Sequence, residues 1–255
     1  MRNLVLKTVI YTFMSLLWLF SAPLTMAASL QDLELLTEEY PPYNYINHNG
    51  EADGVSVRML KEAYGQLGLV LDTSKIKTQP WPRAYRAAMT AENIMLFSTN
   101  RTEKREHLFQ WAGPITAVKN VLLARKDHYI EIQNEHDIKK YLVGGIRDDV
   151  AMQLVRNIVY DQGNLLTTPY AKSLVGMLAL GRIDLWAYSE YTAKLLLSDH
   201  GFDPNDYEVV YTLNKSHAYY ALSLDVPIET VAQLQRGIDK VRACSVCLER
   251  VFNQK

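Results

Sequence analysis

The sequence predicts an α/β protein whose mostly parallel sheets are flanked by helices and whose chain is divided between two lobes. Three observations carry that expectation. Short apolar runs alternate with stretches whose apolar residues recur three and four positions apart, the pattern of strand-helix-strand units and so of parallel sheet. The pattern starts afresh after Gly113-Pro114-Ile115, which begins a second lobe near Val118. A helix opening at Asp225 and Pro227 then follows the last strand of that lobe and carries the chain back to the first. The expected division is a leader over 1–28, the first part of lobe 1 over 29–117, lobe 2 over 118–216, and a return to lobe 1 over 217–255.

Met1 to Ala28 has Arg2 and Lys7 near its front, an apolar run from Val9 to Leu19, and small residues at Thr25, Ala27 and Ala28. That is the layout of a cleaved secretory signal, and Lys7 and Pro23 shorten the run below what a membrane span needs. The expected address is therefore a periplasm. Asp32 to Thr37 reads as the first strand and runs into Glu38-Glu39-Tyr40-Pro41-Pro42-Tyr43-Asn44-Tyr45. Two prolines forbid a continuing strand or helix, so the tyrosines are presented on a fixed loop at a strand's carboxyl end. Asp53-Gly54 opens a helix with Val57, Leu60, Tyr64 and Leu67 on one face and Gly68 at its end, and Leu69 to Leu71 follows as a strand. Pro82 suits the first turn of the next helix, which puts Trp81 at its start.

Ile94 to Phe97 is an apolar run suited to a strand buried on both faces, and Ser98, Thr99 and Asn100 follow at once. Ligands collect at the carboxyl ends of parallel strands, so these groups, with Arg101 and Arg105 four apart on a helical turn over 102–108, form an anion-binding corner. Solvated surface charge is the competing account of both arginines.

In the second half, 120–125 is a strand, 134–140 a short helix and 141–146 a strand. The turn Gly144 to Asp149 leads into a helix with Val150, Leu154 and Ile158 on one face, capped by Asp148 or Asp149. A strand over 165–168, a helix over 171–180 closed by Gly181, and a strand over 183–188 ending in Ser189-Glu190-Tyr191 come next. After the strand over 207–213 the chain recrosses within 216–223, and Val231, Leu234, Ile238 and Val241 face the core of the final helix.

Composition narrows the partners. With 27 basic and 28 acidic residues the chain gives no reason to propose nucleic acid or an anionic membrane surface. The 16 tyrosines suit a small-ligand pocket as well as ordinary core. Six histidines, His48, His107, His128, His136, His200 and His217, show no metal spacing, and no cofactor motif occurs. Cys244 and Cys247 form a Cys-x-x-Cys late in a helical stretch; a local disulfide is the first reading, free thiols the second and redox chemistry the third.

Ser98, Asn100, Thr102-Glu103-Lys104-Arg105, Phe109 and Gly113-Pro114 together resemble a segment of the extracytoplasmic solute-binding proteins of family 3, the polar amino-acid type. The resemblance extends over the chain at the level of element order. It implies the type II periplasmic-binding-protein fold, two lobes joined by a two-strand hinge, with a ligand carboxylate held by Ser98, Asn100 and Arg105. By the same resemblance Tyr40, and after it Tyr43, covers the ligand. Trp81 and Arg83 are further candidates, with core packing the alternative for Trp81, and Arg147 is a candidate lining lobe 2. Gly181-Arg182-Ile183-Asp184 resembles the family's Gly-x-x-Asp. Where amino-acid binders carry an aspartate for the ligand's amino group, this chain has Ser189, with Glu190 next to it. A hydroxyl does not offset an ammonium charge as a carboxylate does, so this departure counts against a plain α-amino-acid ligand: either Glu190 turns inward to replace the aspartate, or the ligand has no amino group.

The implied function is capture of a small anionic or zwitterionic solute by a monomer, without catalysis, and its delivery to an ABC permease. Two rivals are a periplasmic enzyme on the same scaffold, similar to cyclohexadienyl dehydratases, and a sensory ligand-binding subunit.

Overall fold

A computed structural model describes residues 29–159 and 162–253; the expected leader over 1–28 lies outside them. Among the described residues no helix is long and apolar enough to cross a membrane.

Lobe 1 begins with β1 (Glu34–Thr37), then the short hairpin β2 (Tyr45–Ile46) and β3 (Ala52–Asp53), α1 (Val55–Gln66), β4 (Lys77–Thr78), α2 (Trp81–Thr90) and β5 (Ile94–Asn100). β1 pairs in parallel with β4 on one side and β5 on the other. β5 is buried along its whole length because β10 (Tyr207–Leu222) closes its far edge. Two strands of sixteen residues, β6 (Gln110–Arg125) and β10, run antiparallel from one lobe into the other. Beyond the crossing, the second half of β6 pairs with β9 (Leu185–Ser189), which pairs in parallel with β7 (Val143–Ile146), and that with β8 (Leu165–Thr168). The resulting order is β4-β1-β5-β10-β6-β9-β7-β8. It is two parallel-rich sheets spliced through a shared antiparallel pair, with α3 (Val150–Ile158), α4 (Ala171–Ala179) and α5 (Glu190–Asp199) in lobe 2. The last helices, α6 (Ile228–Arg242) and α7 (Ser245–Phe252), pack on α1 in lobe 1.

Lobe 1 is held by the expected faces. Val57, Leu60 and Tyr64 of α1 and Val231, Leu234, Ile238 and Val241 of α6 are all buried in one core. Gly237 lets the two helices approach, since a Cβ there would lie 2.8 Å from the Ala63 carbonyl oxygen.

Four sequence expectations are corrected. Leu69 to Leu71 is not a strand: Asp72 accepts the Ser74 amide at 3.1 Å and folds the chain into a 3-10 turn, leaving β4 at Lys77–Thr78. The hinge strands run far beyond 120–125 and 207–213, because their backbones go on pairing through Lys119, Asn214, Lys215 and Ser216, where apolar alternation stops. On α3 the buried face is Val150, Ala151, Met152 and Val155. Met152 packs into the groove left by Gly145, where a Cβ would lie 2.3 Å from its Cγ, and this turns Leu154 and Ile158 toward partial exposure. Finally, the cysteine pair lies at a helix start: Cys244 is the N-cap of α7, accepts the Cys247 amide at 3.2 Å, and is disulfide-bonded to Cys247. The preceding element is a helix and not a strand, so the setting still differs from a redox motif.

Candidate functional site

The polar groups buried between the lobes come mostly from ends of strands and starts of helices, where backbone direction brings side chains together. Arg105 lies in the 3-10 turn Glu103–Leu108 just after β5 and is 1% exposed. Its guanidinium stands over the rings of Trp81, at 5.4 Å, and Tyr85, at 4.8 Å. Nη2 donates to the Asp148 carbonyl of lobe 2 at 2.8 Å, and Nη1 reaches the Asn100 carbonyl at 3.4 Å. Burial pushes the guanidinium pKa down, against the pull of Tyr85 and Asp149. Trp81 and Tyr85 share a face of α2, being four apart, and their rings stack at 5.3 Å.

Two carboxylates sit beside this cation. Glu38, at the carboxyl end of β1, is 8% exposed, and Asp149, the N-cap of α3, is 9% exposed. Burial raises the Glu38 carboxyl well above its ordinary range; the negative charge of Asp149 adds to the rise and Arg105 opposes it. Asp149 is likewise raised by burial, tempered by Arg105 and by its bond from the Ala151 amide at 2.9 Å.

Aromatic rings close the space. Tyr40 of lobe 1 meets Tyr188 of lobe 2 at 5.5 Å and Tyr43 at 4.8 Å. Burial lifts the Tyr40 and Tyr43 hydroxyls, partly offset in each case by the Ser189 hydroxyl. Of the seven buried side-chain polar atoms without a hydrogen-bond partner among the described residues, three belong to this cluster: Trp81 Nε1, Arg105 Nε and the Tyr188 hydroxyl. Glu38 also lines a cavity of about 450 Å³, which Thr78, Gln79 and Pro80 of lobe 1 share with Tyr170, Ala171 and Lys172 of lobe 2.

Of the residues singled out from sequence, Arg105, Trp81, Tyr40, Tyr43 and Ser189 meet in or beside this interlobe cluster. Others do not. Ser98 is buried in lobe 1, bonded to Ser56 Oγ at 2.6 Å and to Asn44, whose Nδ2 donates to the Glu38 carbonyl at 2.7 Å. Its hydroxyl positions the Glu38 backbone and is not free for a carboxylate. Asn100 gives its side chain to Ser216 at 2.6 Å and offers Arg105 only its carbonyl. Arg101 faces away, paired with Glu106 and lying over Trp111 and Tyr219. Arg83 is exposed on the face of α2 opposite Trp81 and Tyr85, and Arg147 is exposed beside the turn into α3. Glu190 does not turn inward: Lys119 at 2.8 Å and Lys194 at 2.7 Å hold it on the hinge side, and their hydrogen bonds lower its pKa.

The sequence reading passed over Glu38 and Tyr188, and took Asp149 only as a cap. Glu38 stands directly before Tyr40-Pro41-Pro42, at the strand end where ligands collect, and that position was the available signal.

Two parallel-rich lobes, a double-strand crossing and a polar cluster buried between them define a protein of the two-lobed periplasmic-binding type. The chain belongs to the bacterial extracellular solute-binding proteins, family 3, whose model matches residues 35–242. No curated protein matches the sequence. Among solved structures it is similar to a histidine kinase sensor domain with similarity to periplasmic binding proteins (TM-score 0.73, 18% identity, 85% of this chain and 93% of that one). It is also similar to the P235GK mutant of an arginine-binding protein from T. maritima (TM-score 0.71, 18% identity, 86% and 95%). A third similar structure is ArtJ, an arginine-, lysine-, histidine-binding protein from Geobacillus stearothermophilus (TM-score 0.71, 14% identity, 87% and 96%).

Proposed function

We propose that this chain is an exported solute-binding protein that encloses a small amino-acid-like zwitterion between its lobes and delivers it to an ABC permease. The observation that carries the reading is the buried interlobe cluster. Arg105, Glu38, Asp149, Tyr40 and Tyr188 come from both lobes, and three polar atoms there lack partners. Leaving such groups unpaired is costly, and a ligand bridging the lobes relieves that cost only when they close. The earlier alternative of a plain anion is set aside, because one buried guanidinium faces two buried carboxylates.

The proposed units are the leader over 1–28, lobe 1 over 29–117 and 217–255, and lobe 2 over 118–216. Support for the boundaries comes from pairing: β6 keeps β10 beside it along its length and gains β9 of lobe 2 on its other edge from Asn120 onward. We read the protein as a periplasmic monomer that binds without turnover. The carboxylate suggested as a catalytic acid, Glu190, is neutralised by two lysines and kept out of the cluster. The test is a thermal-shift and X-ray scattering screen of the mature chain against amino acids, amines, dicarboxylates and aromatic acids, with recovery of the hit. A hit that stabilises the protein, compacts it and is recovered unaltered supports the reading; conversion of the hit to product overturns its non-enzymatic part.

A sensory subunit is the second reading, favoured by the likeness to the histidine kinase sensor domain. Stimulation of ATP hydrolysis by a reconstituted permease supports transport, and stimulation of a kinase supports sensing.

A further inference from the structure

We propose that the solute must carry a positive group, and that this group completes the charge of the closed cleft by lying between Glu38 of lobe 1 and Asp149 of lobe 2. The inference rests on the reading of the cleft as a solute site and names the class of solute it takes.

The ionisable acids and bases buried in the cluster are Arg105, Glu38 and Asp149, so with all three ionised the interior lacks one positive charge. The other titratable groups facing it are Glu39 on the loop after β1, the phenols of Tyr40, Tyr43 and Tyr188, Tyr85 on α2, and Asp148 beside Asp149. None of these supplies a cation, and Lys172 is exposed at the rim of the cavity. Arg105 does not make up the difference by direct pairing. Its guanidinium donates to two carbonyls and its faces meet two rings, and neither Glu38 nor Asp149 forms an ion pair among the described residues.

The Tyr188 hydroxyl is buried and unpartnered, and its ring stands 5.5 Å from that of Tyr40, two residues after Glu38, which places an idle hydrogen-bonding group of lobe 2 in the cluster. An ammonium or guanidinium there has an acceptor in Tyr188 and aromatic faces in Tyr40 and Tyr188. The cavity bordering Glu38 holds the remainder of a molecule of amino-acid size.

The geometry also explains closure. In the open form each carboxylate belongs to a different lobe and is hydrated; closing strips that water and brings like charges together, which is unfavourable unless a cation or protons arrive. A ligand cation gains both carboxylates only in the closed form, and that differential affinity drives the movement.

The experiment uses the full mature chain, unfolded and refolded to strip any carried ligand. Thermal shift, titration calorimetry and small-angle scattering compare arginine, lysine and agmatine, which carry an ammonium or guanidinium, with pentanamide, succinate and glutarate, which carry neither. At least one cation-bearing probe is expected to stabilise and compact the protein, with pentanamide and the two dicarboxylates at least tenfold weaker. Glu38→Gln is expected to raise the melting temperature of the unliganded protein and to weaken the cation-bearing probe at least tenfold; Asp149→Ala serves as the second variant. Closure by a compound without a positive group as tightly as by the cation-bearing probes overturns the charge assignment and leaves the solute-binding reading standing. So does a cation response untouched by Glu38→Gln and Asp149→Ala. Silence from every class in the broader screen overturns both.

Discussion

Removing the Arg105 side chain separates the energy of closure from the energy of folding. Its contacts with Trp81 and Tyr85 lie within lobe 1, whereas its bond to the Asp148 carbonyl crosses to lobe 2. A hydrogen bond from a charged donor contributes roughly 1.5–3 kcal/mol, and this crossing bond favours the closed over the open form, as does the attraction between Arg105 and Asp149 of lobe 2. At about 1.4 kcal/mol per factor of ten, loss of the bond alone in Arg105→Ala lowers the closed-to-open ratio about 10- to 150-fold. Trp81, Tyr85 and Phe109 still pack against one another, so the cooperative melt of the unliganded protein persists. Arg105→Lys falls between, because an ammonium keeps the charge but lacks the planar fork that stacks on two rings and reaches two carbonyls. Scattering with and without the best ligand reads the closed fraction, and calorimetry reads the melt. An Arg105→Ala protein that compacts and gains ligand stabilisation as the parent does refutes the reasoning.

Further expectations follow from the same contacts. Burial raises the carboxyls of Glu38 and Asp149, so between their unfolded values, about 4, and their folded ones the folded state binds more protons than the unfolded. That stabilisation is complete below the unfolded range and is lost as pH rises through the folded values. The unliganded protein should therefore melt lower at pH 8 than at pH 5, and Glu38→Gln should flatten the slope; a flat parent profile contradicts it. Gly54 has φ +117, and a Cβ there would lie 2.5 Å from the Tyr43 carbonyl oxygen, so Gly54→Ala should cost roughly 1–3 kcal/mol in a thermal melt and displace the Tyr40 to Tyr43 loop. Unchanged stability there means the loop does not need this close approach. Glu190→Gln removes partly exposed ion pairs at the hinge and should leave ligand affinity within about twofold; a tenfold loss by calorimetry returns Glu190 to the site. Reducing Cys244–Cys247 opens a very short loop, for which chain entropy gives about 2 kcal/mol. The melt should fall with ligand affinity intact, and loss of binding on reduction contradicts that.

The fold was legible because its signals are local. Apolar runs such as Ile94 to Phe97 and helical faces such as Val231, Leu234, Ile238 and Val241 depend on neighbours within a few residues. The extent of β6 and β10 was not, since their middle sections are polar and are held by each other's backbones across a sequence separation of nearly one hundred residues. The site divided in the same way. Arg105, Trp81 and Tyr40 stand out by type and place, but whether an arginine turns inward is decided by helical phase and tertiary partners, which put Arg83 and Arg101 outside. Nothing local distinguishes Glu38 from Glu39, and the fold buries the first while leaving the second half-buried, with Asp149 of the other lobe acting on the buried one. At the place where amino-acid binders carry an aspartate this chain has the buried Ser189, and the buried carboxylates of the cluster are Glu38 and Asp149.

The most direct measurement is a crystal structure of the mature chain with the tightest compound from the screen. The account predicts closed lobes and ligand density against Glu38, Asp149, Tyr40 and Tyr188, with the ligand's cationic atom within hydrogen-bonding reach of both carboxylates. Density at any other surface, or a ligand in the cleft whose positive group points away from Glu38 and Asp149, contradicts it.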